Sequence, residues 1–111
     1  MPTQEEYGEE LSYLADYVRD DWLGFSVITG IVGKLLGKGS LLEERRRLTL
    51  RIVGDLLDLG AEAGDLTDDP DHPFKAWRIG KAATVSRVES ALGELGRLPE
   101  SGDIGWFTVD E

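Results

Sequence analysis

The chain contains no cysteine and a single histidine in 111 residues. Without cysteine there is no disulfide framework, no thiol nucleophile and no thiolate site for zinc or an iron–sulfur cluster, and the composition suits a reducing compartment, with the cytosol as the expectation. Basic residues are scarce too: 12 Lys and Arg stand against 22 Asp and Glu, a formal net charge of −10. That balance repels nucleic acid at long range and favours a basic partner. Residues 1–10 are polar and acidic, the reverse of a signal peptide's basic and then apolar layout. The longest largely uncharged stretch, from Trp22 through Leu36, falls short of the roughly 20 apolar residues that cross a bilayer, so no membrane association is expected. The length suits a single domain over residues 1–111, and a hydrophobic content of 41% suffices for one modest core.

The charge that is present is unevenly placed. Residues 1–21 carry seven acids against Arg19 for −6, and residues 62–72 carry five acids and no base for −5. Residues 22–61 hold six bases against four acids for +2, residues 73–98 hold five against two for +3, and the last thirteen residues contribute −4. Two acidic regions therefore flank a mildly basic centre.

Apolar periodicity outlines the elements. Tyr7, Leu11, Leu14 and Val18 recur at steps of four, three and four, which predicts a helix over Gln4–Val18 with Glu5 and Glu6 at the favourable end of its dipole. A second helix over Leu23–Leu36 is apolar on most sides and is expected to be the central one. Its Gly30 and Gly33 suggest close approach by a neighbouring helix. Gly37-Lys38-Gly39-Ser40 reads as a turn, with Ser40 and Glu43 spaced as a capping box for a third helix ending at Leu59 before Gly60. Residues 61–71 turn small and acidic, and Pro70 and Pro73 exclude helix there. A fourth helix follows Gly80 on the stripe Val85, Val88, Leu92 and Leu95, and Gly96 and Pro99 end it. Ile104 to Val109 has the aromatic and β-branched make-up of a strand, and Ala63 to Leu66 is the free segment with which it can pair. The expected fold is α+β and mostly helical: four helices and a two-stranded antiparallel ribbon. On a two-residue period Ile104 and Trp106 share one face, expected to pack on the helices. Phe107 takes the other and is expected to be partly exposed, available to a partner or, through the ribbon's open edge, to a second copy in a homodimer.

Motifs that carry chemistry are weak. Gly33 to Ser40 approaches a phosphate-binding loop, but its spacing is one residue short and Gly39 separates Lys38 from Ser40. Asp65 to His72 is acidic enough to attract a hard cation, yet Pro70 stands where a calcium loop needs its turn glycine and Ala76 where it needs its bidentate glutamate. His72 has no cysteine to activate and is expected to be exposed. No cofactor and no metal are expected. Arg45, Arg46, Arg47 and Arg51 form the strongest basic cluster and could meet phosphates from a helix, while Glu43, Glu44 and Asp55 lie at pairing distance along the same helix. Trp77, Trp106 and Phe107 read as core anchors before a binding platform.

Leu57-x-x-Gly60, Gly64-Asp65-Leu66, Phe74-x-x-Trp77 and a final Gly102-Asp103-Ile104-x-Trp106-Phe107 together resemble a loose group of small, uncharacterised acidic bacterial proteins over about residues 22–108. Gly80 departs from that group, whose members often place a serine helix cap there. The group brings no activity to carry over. The order of helices and strands also resembles a winged helix, and the acidic make-up without catalytic residues is similar in character to immunity proteins of toxin systems. The expectation is a non-enzymatic protein-binding module, an immunity-type neutraliser or regulator of a basic protein. In it Glu5, Glu6, Glu9, Glu10, Asp68, Asp69 and Asp71 steer association, and partly exposed aromatics such as Phe107 supply affinity. The alternative is a winged-helix-like nucleic-acid-binding regulator that uses Arg45, Arg46, Arg47 and Arg51.

Overall fold

Thr3 opens the first helix, α1 (Gln4–Asp20), in the computed structural model, which describes residues 2–109. Its hydroxyl accepts the Glu6 amide at 3.1 Å, and the Glu6 carboxylate accepts the Thr3 amide at 3.2 Å, a reciprocal capping box. The predicted stripe turns inward: Tyr7, Leu14 and Val18 are buried and Leu11 packs against them.

The next helix, α2 (Phe25–Leu36), begins two residues after the predicted Leu23, because Leu23–Gly24 forms a strand, β1, paired to the C-terminal strand. Its cap position, Gly24, has no side chain to offer. Ser101 supplies the missing acceptor from 75 residues away: its Oγ accepts the Ser26 amide at 3.2 Å, and Ser26 Oγ accepts the Ser101 amide at 2.7 Å. A side chain at Gly24 would collide with Ser101 and the Trp106 ring, so the closure of this end requires glycine. Gly30 and Gly33 do not serve helix contact as expected. A Cβ at Gly30 would meet nothing within 4 Å, and one at Gly33 would come only within 3.9 Å of Arg45.

The third helix, α3 (Leu42–Asp58), packs on α1, α2 and the later α4, so α3 rather than α2 is the central helix. Leu48, Ile52, Val53 and Leu56 are its buried side chains, with Thr49 closing onto the Arg45 carbonyl at 2.8 Å. The expected Ser40–Glu43 capping box is not formed. The cap falls one residue later, at Leu41, and Ser40 instead donates to the Gly37 carbonyl at 3.1 Å, tightening the turn. At the other end Gly60, at φ 103°, lets the Ala61 amide reach the Leu56 carbonyl and its own amide reach Leu57, the paired bonds of a Schellman motif.

Strands β2 (Glu62–Leu66) and β3 (Phe74–Ala76) form a hairpin, α4 (Lys81–Leu95) packs Thr84, Val88 and Leu92 against the core, and β4 (Trp106–Thr108) ends the described chain's regular structure. The predicted ribbon is present, with Ala63 opposite Phe107 and Gly64 opposite Trp106. It is the centre of a larger antiparallel sheet of order β1-β4-β2-β3. Phe107 corrects the expectation of exposure: only 1% of its surface is accessible, and its ring lies 5.4 Å from that of Phe25. Within β4 the alternation was right and the orientation of Trp106 and Phe107 inverted, while Ile104, ahead of the strand, packs against the core as expected. Leu23, Ala63 and Phe107 lie side by side across three strands on the face the helices cover, whereas Ile104 and Trp106 are half-buried. No helix of the described chain is long and apolar enough to cross a membrane.

Candidate functional site

With Tyr7, Leu14 and Val18 turned into the core, the opposite side of α1 carries Glu5, Glu9, Tyr13, Asp16 and Asp20, all exposed and spaced by four, four, three and four residues. One continuous stripe results. Glu6 is exposed beside it but holds the capping box, so its charge also serves the helix start. Tyr13, 52% exposed, interrupts the acids, and its ring meets Tyr17 edge-on at 6.2 Å.

Between this stripe and α2 runs an open trough of about 480 Å³. Glu9, Glu10 and Tyr13 form one wall, and Val27, Gly30 and Ile31 the other. The missing side chain at Gly30 is what leaves the α2 side shallow. Lys34 reaches across from α2, and its Nζ donates to Glu10 Oε1 at 2.6 Å. That hydrogen bond and the Glu10 charge hold the ammonium's pKa above the ordinary lysine value.

The second acidic region folds differently. In the β2–β3 loop, Thr67 Oγ1 donates to the His72 carbonyl at 2.5 Å and accepts the Asp69 amide at 3.2 Å. Asp69 in turn accepts the Asp71 amide at 2.9 Å and stands 3.4 Å from His72 Nδ1. The loop's carboxylate and hydroxyl are therefore spent on its own backbone, the usual role of Asp and Thr in turns. Asp68 and Asp71 point to solvent, and the His72 side chain is 82% exposed. Among the described residues no three His, Asp or Glu side chains gather as a metal-ligand set.

The arginine cluster separates. Arg45 turns back to clamp the α2–α3 turn, donating through Nε to Ser40 at 2.7 Å and through Nη2 to the Gly37 carbonyl at 3.1 Å. Arg47 pairs with Glu43 at 2.8 Å. Arg51 lies 3.8 Å above the Tyr7 ring, whose hydroxyl donates to Asp55 at 2.5 Å. Burial, then the Asp55 hydrogen bond, holds that phenol above the ordinary tyrosine range. Arg46 has a buried Nε without a partner. Asp55, expected to pair with an arginine, instead ties α1 to α3 through Tyr7. The four side chains share no single basic face.

A comparable assembly joins the hairpin to the middle of α4. Trp77 Nε1 donates to Asp65 at 2.9 Å, Arg87 stacks on the indole at 3.8 Å, and a Cβ at Gly105 would lie 2.7 Å from the ring. Trp77 is thus an anchor, as its size suggested.

Of the residues expected to bind a partner, Glu5, Glu9 and Glu10 gather on and beside one helix face, Asp68, Asp69 and Asp71 belong to a separate hairpin, and Phe107 is sealed in the core. Asp16, Asp20, Tyr13, Gly30 and Lys34 were not anticipated, the predicted helix ending at Val18, before Asp20. Tyr13 had a readable signal, an aromatic lying off the apolar stripe of its own helix. Gly30 and Lys34 had none, because their role depends on α1 lying alongside α2. The chain matches no family model, and comparison with curated proteins and with solved structures finds no match.

Proposed function

We propose that this chain is a non-enzymatic, cytosolic protein-binding module that neutralises or regulates a basic protein, in the manner of an immunity protein, without a cofactor. The observation that carries the reading is the exposed acidic stripe of α1. Its last acid, Asp20, stands in the helix's final turn, where the dipole is negative and a carboxylate works against folding by about 0.3–1 kcal/mol. With Arg19 in the same turn the local balance is neutral, and the exposed Asp20 carboxylate stays available to an outside partner. Complementary potential of this kind mainly accelerates encounter and fixes orientation, and the exposed Tyr13 adds the rigid aromatic surface that binding sites favour.

The winged-helix-like alternative requires Arg45, Arg46, Arg47 and Arg51 to act together on phosphates. It is the weaker reading, because Arg45 and Arg47 are engaged within the chain and Glu43, Glu44 and Asp58 are exposed on the same helix. The discriminating experiment is recovery of partners from the native cell by the tagged chain and by a Glu9→Lys/Asp16→Lys/Asp20→Lys variant. The proposal expects a basic protein, recovered stoichiometrically at low salt, to be lost with the variant. Recovery of nucleic acid, or of the same proteins by both chains, would overturn it.

A further inference from the structure

A purely electrostatic face would not need a trough beside it. Half-buried Val27 and the edge of the otherwise buried Ile31 place some apolar surface there, Gly30 adds no side chain over it, and Tyr13 stands at its rim more than half exposed. Glycine in the interior of an exposed helical surface costs roughly 1 kcal/mol against alanine. Neither a close helix contact nor a left-handed backbone accounts for it at Gly30.

The geometry points to the α1–α2 trough as the seat of an amphipathic basic helix of the partner, which inserts one apolar side chain over Gly30 and sets a Lys or Arg against Glu10 in place of Lys34. This rests on the proposed reading of α1 and adds the shape and register of what binds. Charge complementarity selects the occupant: Glu5, Glu9, Asp16 and Asp20 run about 22 Å along α1 at helical steps, so a helix lying alongside can set cations at three- and four-residue spacing against them. The form of the occupant follows from the trough, since a cleft between two helices with acids on one wall and Val27 and Ile31 on the other suits a third helix that is basic on one side and apolar on the next. Lys34 is the precedent within the chain. Its ammonium meets Glu10 at 2.6 Å; the Lys34 side chain is 70% exposed and can swing into water, whereas the Glu10 side chain is only 17% exposed, so the incoming cation must take over the hydrogen bond that Lys34 gives up.

The test uses the full chain and two synthetic peptides of about 15 residues, long enough to span the stripe as a helix. Both contain the same Lys and Leu residues. One has them in amphipathic order, the other is scrambled. Binding is read by fluorescence anisotropy at low and moderate salt, with thermal melts confirming that each variant is folded. The amphipathic peptide is expected to bind at least about tenfold more tightly than the scrambled one, the amount that burying one leucine side chain supplies. Gly30→Leu, which fills the trough with an exposed side chain that favours helix, is expected to remove that difference. Lys34→Gln, which frees Glu10, is expected to tighten amphipathic binding by about two- to fivefold. Equal binding of both peptides, unaffected by Gly30→Leu, would overturn the trough inference and leave the acidic-module reading standing. Failure of both peptides to bind at low salt would overturn both.

Discussion

Residues 1–21 and 62–72 are almost equally acidic, at −6 and −5, yet the fold uses the two regions in opposite ways. In the β2–β3 loop Asp69 and Thr67 turn back onto the backbone, and the carboxylate at Asp69 builds the turn. On α1 most acids stand outward at helical spacing beside an open trough of mixed lining. Equal charge density thus conceals a difference between acids that make structure and acids that are displayed. Hydrogen-bond partners tell them apart.

The comparison breaks most visibly at Asp55, the inward acid that receives the Tyr7 hydroxyl beneath Arg51. Asp55→Ala leaves a buried phenol without its acceptor and is expected to cost about 1–3 kcal/mol in urea unfolding, whereas Glu9→Ala should stay within about 0.5 kcal/mol of the parent. If the two cost the same, the division fails. Next in size is Asp69→Ala, expected to lose about 1 kcal/mol, with faster amide exchange confined to the β2–β3 loop. Asp68→Lys/Asp71→Lys reverses two charges that build no turn. It should leave stability and basic-peptide affinity within about threefold of the parent, since neither side chain lines the trough between α1 and α2.

The smallest effect concerns pH. Arg97 donates to Asp103 at 2.8 Å, and this hydrogen bond, with that of the Glu100 amide, holds the Asp103 carboxyl below its ordinary value. A group depressed in the folded state contributes stability above its unfolded pKa and loses that contribution as pH falls through the folded one. The Asp103 carboxyl is therefore expected to titrate by NMR below the usual aspartate range, and Arg97→Gln should move its midpoint upward. An unchanged midpoint would show that Arg97 does not set it.

Local periodicity made the helices legible: Tyr7, Leu14 and Val18 turn inward as their spacing requires, and Gly60 and Gly96 end α3 and α4 with positive φ. The β2–β4 pairing was legible by elimination, because the terminal strand needed a partner and residues 63–66 were free. What could not be read depends on neighbours distant in the chain. Strands β1 and β3, of two and three residues, are too short to show a two-residue period and exist because β4 and β2 offer backbone partners. Alternation separated Phe107 from Trp106, but which of them faces the core is decided by where the helices lie. Glu5, Glu6, Glu9 and Glu10 were legible as a cluster, but Asp16 and Asp20 were not, because the apolar stripe ends at Val18 and the helix runs on to Asp20. The trough beside them was not legible either, because Glu10 and Lys34 are 24 residues apart and meet only through packing.

The measurement that bears most directly on displayed acids takes stability and affinity from one variant, Glu9→Lys/Asp16→Lys/Asp20→Lys. These side chains make no contact that the core requires, and a lysine at position 20 suits the negative end of the α1 dipole. The expected result is a thermal midpoint equal to or above that of the parent, together with a loss of about a hundredfold in affinity for the amphipathic basic peptide at low salt. A variant that unfolds well below the parent, or that binds the peptide as tightly as the parent does, would contradict the account.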